Sequence, residues 1–444
     1  MSRFFLSPRF LTVVNRVCFC AIVFYTMWYT VGFQLRHQSF TPQDLLDYAL
    51  NYERSRLVVE QLAYPPWSSG FLYPPPNIVL RLTLGGLGLQ ISGVIWMAFL
   101  MGATLACLEF SLSLMRLSHH PAKYVLALLA LSAVEYFFEW DLKYLNGNVL
   151  YLASLLGALI LTEQRKYIHA GFWLAASMVF KVYSVVFLPY FLLTRQYRLC
   201  FATLVWLAFF FLAVPMAYFG AGPAITLTDT WVRTVLSSGQ SINVPLELAA
   251  YVMSWHKTLL ILLNSTAGKG VYNVLNLSQE HVMALTRGAQ GLWALLVVVY
   301  FWVSIKRSGV ARDGRILLLD AGALTLFVLP FSPALQPHHG VVMLISAMAL
   351  IGVASDPHQS TALRWSAASI VLTCYIELQF GPSLMLRGVG MMATTLLFMA
   401  GLILVRAGLR ASESSDSSVL APTLLAKREE ACPLLDRKNQ FPLG

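Results

Sequence analysis

Charged residues are scarce in this chain of 444 residues, since Asp, Glu, Lys and Arg make up only 12% of it. The six cysteines form no CxxC pair and lie mostly in or beside apolar runs, which argues against a zinc site or a disulfide framework. The P-loop, GxGxxG, HExxH and GxSxG motifs are also missing from the sequence. No familiar nucleotide-binding, zinc-protease or serine-hydrolase signature therefore remains.

Apolar residues dominate instead. Hydrophobic side chains account for 57% of the chain, and its mean hydropathy is +0.65. Because long apolar runs recur along the sequence, we expect an all-α polytopic membrane protein. The formal charge of +10 comes from Lys and Arg that lie mostly between these runs, where they set topology and suit anionic lipid. We expect membrane lipid, and no nucleic acid, as a partner.

The apolar runs and basic loops predict roughly 12 transmembrane helices with both termini in the cytoplasm. Two of these are short helices between residues 169 and 193. Residues 34–76 and 220–287 are the two main extracytoplasmic loops of a transmembrane domain that covers residues 1–410. Residues 411–444 lack helical periodicity, so we expect a disordered cytoplasmic tail there. The other predicted spans are residues 10–33, 87–115, 124–138, 149–161, 200–219, 288–305, 316–329, 341–353, 362–380 and 390–405.

The first long polar stretch, residues 41–76, contains four of the scarce carboxylates: Asp44, Asp47, Glu53 and Glu60. A cluster of carboxylates beside a membrane span is a candidate for chemistry, although these groups could also merely solvate a surface loop. Apolar residues recur at near-helical spacing between residues 45 and 58, which predicts an amphipathic helix along the membrane surface. The helix should stop before the prolines of residues 64–66, and the chain then returns to the membrane through a rigid, extended segment at residues 73–76.

Lys181 lies in the middle of an apolar run that has basic residues at both ends. A single crossing would place one basic end outside, against the positive-inside rule. We therefore predict two short helices that reverse near Lys181, with the amino group facing a polar cavity or an anion. Pairing with a carboxylate, or snorkelling of the side chain to the interface, is the alternative.

These features suggest a reaction at the membrane surface. A carboxylate at the extracytoplasmic face can act as a general base, and a cationic group can hold the phosphate of a lipid donor. Together they could support glycosyl transfer from a polyprenyl-phosphate sugar. A transporter or lipid flippase is the main alternative, because Glu109, Glu135 and Asp320 fall within predicted spans. A non-catalytic scaffold is a third hypothesis.

Several short motifs resemble glycosyltransferase family 87, the polyprenyl-phosphate-dependent mannosyl- and arabinofuranosyltransferases with the GT-C membrane fold. They occur in the family's order over most of residues 40–350, although NGN has Asn148 where the family has Gln. The clearest element is SPxxxxHH. The motifs are DLLDY at residues 44–48, FLYPP at 71–75, NGN at 146–148, the Ala-Gly, Lys and Arg positions of 170–198, GQS at 239–241, and SPALQPHH at 332–339.

The resemblance implies that Asp44 is the catalytic base and that His338 or His339 contacts the donor phosphate or the acceptor. A polar helix start after Pro337 is the simpler explanation of the histidines. The resemblance also places Gln240 at the substrate. Tyr48 and Tyr73 would shape the sugar site, unless they belong to an interfacial aromatic belt. Lys181 as a phosphate contact is our own electrostatic inference.

The family resemblance further implies a multi-pass protein of the bacterial inner membrane whose active site faces the periplasm. Its partners would be a polyprenyl-phosphate sugar and a glycolipid or glycan acceptor, and we expect a monomer. The resemblance calls for no cofactor and no metal. A metal site built from Asp44, Glu139 and Asp141 is the alternative that the carboxylates allow.

Overall fold

The computed structural model describes residues 8–36, 46–65, 71, 73–236, 253–264, 274–308, 313–332, 335–380 and 387–409. Every regular element in these ranges is helical, which confirms the predicted all-α class. Short 3₁₀ or π turns interrupt or extend several helices. The helices are α1 Pro8–Met27, α2 Phe33–Arg36, α3 Leu46–Gln61, α4 Pro75–Gly85, α5 Leu89–Leu114, α6 Lys123–Ser132, α7 Glu135–Lys143, α8 Asn148–Glu163, α9 Tyr167–Phe180, α10 Phe187–Leu193, α11 Tyr197–Ala208, α12 Val214–Phe219, α13 Ala221–Trp231, α14 Trp255–Leu263, α15 Gln279–Ser308, α16 Gly314–Val328, α17 Met343–Ser355, α18 Thr361–Phe380 and α19 Arg387–Gly408.

Within the described ranges, 7 helical segments are long and apolar enough to cross a membrane. An eighth span results if α7 and α8, which meet at a bend of 118°, count as one broken crossing. The protein is thus a multi-pass membrane protein, and the count of roughly 12 stays a prediction. The tail of residues 411–444 lies outside the described residues. The seven segments are Phe10–Leu35, Leu89–Leu114, Tyr197–Phe219, Gln279–Trp302, Gly314–Phe331, Pro337–Ser355 and Val389–Gly408.

The predicted span at residues 124–138 is not one helix. Helix α6 ends at Ser132, and α7 begins at Glu135 after a non-helical residue, Val134. Tertiary packing overrides the apolar run here, because Phe137 of α7 is buried against the backbone of Gly340. A Cβ atom at Gly340 would lie 2.5 Å from the Phe137 ring. This contact directs α7 toward the segment that carries the paired histidines.

Helix α3 lies within the first polar stretch, as predicted, but its buried face packs on the protein. The buried side chains are Tyr48, Asn51, Ser55 and Val58, which recur every three or four residues and so share one face. An amphipathic helix that lies along the membrane surface therefore stays a prediction. The packing of this face fixes α3, and Asp47 with it, against the helical bundle.

The chain reverses direction near Lys181. Helix α16 begins beside the end of α8, where the Gly314 backbone N–H donates to Glu163 Oε1 at 2.9 Å. Helix α9 also begins beside that end. Lys181 follows α9 in an extended conformation, with φ −148° and ψ 124°, and a 3₁₀ turn comes next.

The segment after Lys181 runs antiparallel to α16. Tyr183 Oη lies 3.0 Å from Ser332 Oγ, beyond the end of α16. Further along the chain, Tyr190 Oη donates to Asp320 Oδ2, near the start of α16, at 2.8 Å. The chain therefore returns from Lys181 toward the end at which α9 began. This path agrees with the predicted reversal.

Replacing Gly171 with alanine is expected to lower the free energy of unfolding by about 1–3 kcal/mol, since overpacking costs about that much. A Cβ atom at Gly171 would lie 2.8 Å from backbone atoms of Ala202 and Thr203, so helices α9 and α11 would have to separate. Thermal unfolding in detergent measures the effect. Gly102→Ala in α5 is the matched control, because its Cβ would meet nothing within 4 Å. Equal midpoints for both variants would contradict the expectation.

Candidate functional site

Asn146 joins two distant parts of the chain at one end of the helical bundle. Its Nδ2 donates to Asp47 Oδ2 of α3 at 3.0 Å. The same nitrogen lies 3.2 Å from Nε2 of His338, which is buried in the turn before α17. One amide therefore connects the first polar stretch with the histidine pair.

The orientation of the Asn146 amide follows from its other contacts. Its Oδ1 accepts hydrogen bonds from the Gly147 backbone N–H at 2.9 Å and from Asn148 Nδ2 at 3.1 Å. The Tyr73 hydroxyl donates to the same oxygen at 3.4 Å. A backbone N–H can only donate, so Oδ1 must face these groups and the NH₂ must face Asp47 and His338. The Nε2 atom of His338 is then the acceptor.

Asp141 fixes the loop that carries Asn146. Its fully buried carboxylate accepts from Asn148 Nδ2 at 2.7 Å and from the Val149 backbone N–H at 3.0 Å, at the start of α8. A carboxylate at a helix N-terminus satisfies free N–H groups there and favours the helix dipole. These bonds occupy both carboxylate oxygens. Asp141 therefore positions Asn146, and the described residues contain no group of three His, Cys, Asp or Glu arranged to hold a metal ion.

Lys181 and His339 form the second contact of the site. Lys181 Nζ lies 3.1 Å from His339 Nε2. The other ring nitrogen of His339, Nδ1, accepts a hydrogen bond from the Gln336 backbone N–H at 3.0 Å. Lys181 Nζ is also 5.3 Å from the centre of the Tyr73 ring. Residues from α3, the extended segment before α4, the loop before α8, the reversal after α9 and the turn before α17 therefore meet in one place.

The predicted residues divide into three groups. Lys181, His338, His339 and Tyr73 lie together in this cluster. Tyr48 borders it, since its buried ring is centred 5.9 Å from the guanidinium carbon of Arg81, which is itself 4.6 Å from the centre of the Tyr73 ring. Asp44 and Gln240 lie outside the described residues, so their assignments stay predictions. The role of each residue toward a substrate likewise stays a prediction.

Arg81 and the full role of Asn146 escaped the sequence reasoning. Arg81 lies in α4, whose first two residues end the proline run, and its guanidinium carbon is 4.6 Å from the centre of the Tyr73 ring. An arginine inside a short helix that follows the FLYPP motif is the one signal that could have identified it. For Asn146 the motif was visible, but its partners lie 99 and 192 residues away.

Burial changes the acidity of the Asp47 and Tyr73 side chains. It raises the pKa of Asp47 above the usual value of an aspartate, while the bond from Asn146 and the nearby Arg81 and Lys181 oppose this shift. Burial also raises the pKa of the Tyr73 hydroxyl to about 12, so that it stays protonated and can donate. The site thus holds a partly buried carboxylate beside neutral donors and basic side chains.

Comparison with known proteins is consistent with this arrangement. The sequence model of glycosyltransferase family 87 matches residues 71–333, which is more than half of the chain. The chain belongs to glycosyltransferase family 87. This confirms the resemblance and favours a transferase over a transporter or a scaffold. Comparisons with curated proteins and with solved structures gave no match.

Family 87 membership makes this protein a membrane glycosyltransferase, with a sugar donor and an acceptor as substrates. The matched region contains Tyr73, Arg81, Asn146 and Lys181 of the polar cluster. The structure adds Asp47, which precedes the matched region, and the histidine pair, which follows it. The carboxylate Asp320, which the transporter hypothesis invoked, is bound by Tyr190, Tyr300 and Ser304.

Asn146→Ala is expected to move the acidic limb of the transfer rate to higher pH. The bond from Asn146 favours the ionised form of Asp47, so its loss raises the pKa of Asp47 further. Arg54 on the same helix, Arg81 and Lys181 remain to favour the ionised form, so the limb shifts without disappearing. Activity that needs an ionised Asp47 is then lost at a higher pH as the solution is acidified.

The measurement is a pH–rate profile of the purified family 87 protein. Gln34→Ala is the control, because Gln34 bonds only the Lys143 backbone carbonyl among the described contacts and does not touch Asp47. Asn146→Asp, which adds a second negative charge, should shift the limb further than Asn146→Ala. Identical acidic limbs in all variants would show that Asp47 need not be ionised.

Proposed function

We propose that this protein transfers a sugar of the mannose or arabinofuranose type from a polyprenyl-phosphate donor. The acceptor would be a lipid-linked or cell-envelope glycan at the periplasmic face of a bacterial inner membrane. One observation carries the proposal: in a membrane protein of family 87, a single buried cluster brings together a carboxylate, two histidines and two basic side chains.

The chemistry needs only groups of these types. A carboxylate removes the proton of an acceptor hydroxyl, and the oxygen attacks the anomeric carbon of the donor sugar. The bond between that carbon and the phosphate oxygen breaks, and its electron pair leaves with polyprenyl phosphate. Basic side chains offset the negative charge that grows on the phosphate. The products are the glycosylated acceptor, polyprenyl phosphate and one proton on the base.

Two carboxylates are candidates for the base. The family resemblance implies Asp44, which lies outside the described residues. The described structure supports Asp47, whose oxygen accepts from Asn146 beside His338. The two are three positions apart in sequence, and three residues of extended chain span only about 10 Å. We keep Asp44 as the proposed base and treat Asp47 as its competitor.

The donor class is tested with purified protein in nanodiscs. Labelled polyprenyl-phosphate mannose, polyprenyl-phosphate arabinofuranose and the matching nucleotide sugars are each offered with glycolipids extracted from bacterial membranes. We expect label to reach a glycolipid only from a polyprenyl-phosphate donor. Transfer from a nucleotide sugar alone would overturn the donor class. Movement of lipid or solute across proteoliposomes without transfer would favour the transporter.

A further inference from the structure

Arg81 is a buried cation of helix α4, with only 1% of its surface exposed. It forms no ion pair within the described part of the chain. Its Nε donates to Asn77 Oδ1 at 2.8 Å. Its Nη1 is buried and has no hydrogen-bond partner among the residues that the structure describes. Leaving a buried donor of a charged group without a hydrogen bond is costly, so this nitrogen indicates that an acceptor binds here.

Aromatic rings hold the guanidinium in place. Its carbon lies 4.6 Å from the ring centre of Tyr73, 5.2 Å from that of Trp96 and 5.9 Å from that of Tyr48. The Trp96 ring is itself fixed, since its Nε1 donates to the Leu145 carbonyl at 2.8 Å. Aromatic faces attract a cation without consuming its N–H donors. The aromatic rings therefore hold the positive charge of Arg81 in place and leave its Nη1 donor available.

The free donor belongs to the same cluster as Lys181. Arg81 and Lys181 both approach the Tyr73 ring, at 4.6 and 5.3 Å from its centre. Each also acts on the carboxylate of Asp47. Two basic side chains around one tyrosine, one of them with an unused donor, match an anion that has several acceptor oxygens.

We propose that Arg81 binds the phosphate group of the lipid donor through Nη1 and keeps this contact as polyprenyl phosphate leaves. This inference rests on the proposed function. The donor phosphate is a diester with one negative charge, whereas the released phosphate is a monoester that can carry two. A guanidinium stays charged at every working pH, so Arg81 supplies a fixed charge as the second negative charge appears.

Binding of a short-chain polyprenyl phosphate is measured beside that of the corresponding polyprenol, which lacks the phosphate. Wild type, Arg81→Gln, Arg81→Lys and the control Arg165→Gln, which changes an exposed arginine, are compared as full-length protein in nanodiscs. We expect Arg81→Gln to weaken phosphate binding by about 10–100-fold, as for loss of a charge-assisted hydrogen bond. Binding of polyprenol should not change in any variant. The affinity of Arg81→Lys for the phosphate should lie between those of wild type and Arg81→Gln.

The outcomes separate this inference from the proposed function. If wild type binds the phosphate no better than the alcohol, the polyprenyl-phosphate donor is wrong. If wild type prefers the phosphate and either folded Arg81 variant keeps the same phosphate-to-alcohol ratio, the role of Arg81 is wrong. Unfolding midpoints identify the folded variants. If Arg81→Gln fails to fold, Arg81→Lys decides, because lysine keeps the positive charge but lacks the planar set of N–H donors of a guanidinium.

Discussion

Replacing Asp44 with asparagine is expected to lower the rate of sugar transfer by about 10²–10⁴-fold, the range that a general base contributes. Asparagine keeps the shape of the side chain but cannot take the acceptor's proton. The measurement is transfer of label from the preferred polyprenyl-phosphate donor at saturating concentrations of both substrates. Donor affinity should change little, because the base acts on the acceptor.

Asp47→Asn is the matched comparison. Its new amide oxygen can still accept the hydrogen bond from Asn146, although without the negative charge. Exchanging a charge-assisted bond for a neutral one costs about 1–2 kcal/mol, so we expect a loss of about tenfold. The reverse order, with the larger loss in Asp47→Asn, would assign the base to Asp47. Full activity in both variants would remove the carboxylates from the mechanism.

Lys181→Met is expected to lower transfer by about 10²–10³-fold, as for removal of one group that stabilises developing charge. Methionine fills a similar volume without an amino group. In the proposed reaction the charge on the phosphate grows as the leaving group departs, so the effect should appear in the rate at saturating donor. Thermal stability should not fall in parallel, because the lysine is desolvated and its removal relieves that cost.

Lys123→Met serves as the control for this variant. Lys123 pairs with Glu109 at 3.3 Å, and this pair is not part of the polar cluster. The Lys123→Met variant should keep a transfer rate within about twofold of wild type, because partly exposed ion pairs contribute about 0–1 kcal/mol. A loss of rate in Lys181→Met that is matched by a lower unfolding midpoint would indicate a structural role instead.

Local patterns predicted much of the architecture and part of the site. The apolar runs predicted the helices, and the basic ends around Lys181 predicted the reversal there. The SPxxxxHH motif identified the two histidines that the structure places beside Asn146 and Lys181. Each of these signals is contained in a short stretch of sequence, which is why it can be read without the fold.

Other features depend on contacts between distant residues. The break at Val134 arises because α7 packs on Gly340, more than two hundred residues later. The function of Asn146 depends on Asp47 and His338, which only the fold brings to its amide. Arg81 stood in an ordinary position of an apolar helix, and its chemistry became visible only from the aromatic rings around it and the donor left unused.

The contacts of His339 also decide what its ring presents to Lys181. Its Nδ1 accepts from a backbone N–H, so a neutral ring must carry its hydrogen on Nε2, the atom that faces Lys181. A lysine ammonium has only donors and cannot accept from that N–H. A cationic Lys181, the form that favours an ionised Asp47, therefore faces an N–H of His339 and not an acceptor.

The ammonium donors of Lys181 are then not consumed by His339. An anion held between the loop after α9 and the turn before α17 can accept from Lys181 and from the His339 Nε2–H together. Under the proposed function, the donor phosphate would thus replace a contact between two donors, and its binding would tie these two segments of the chain to each other.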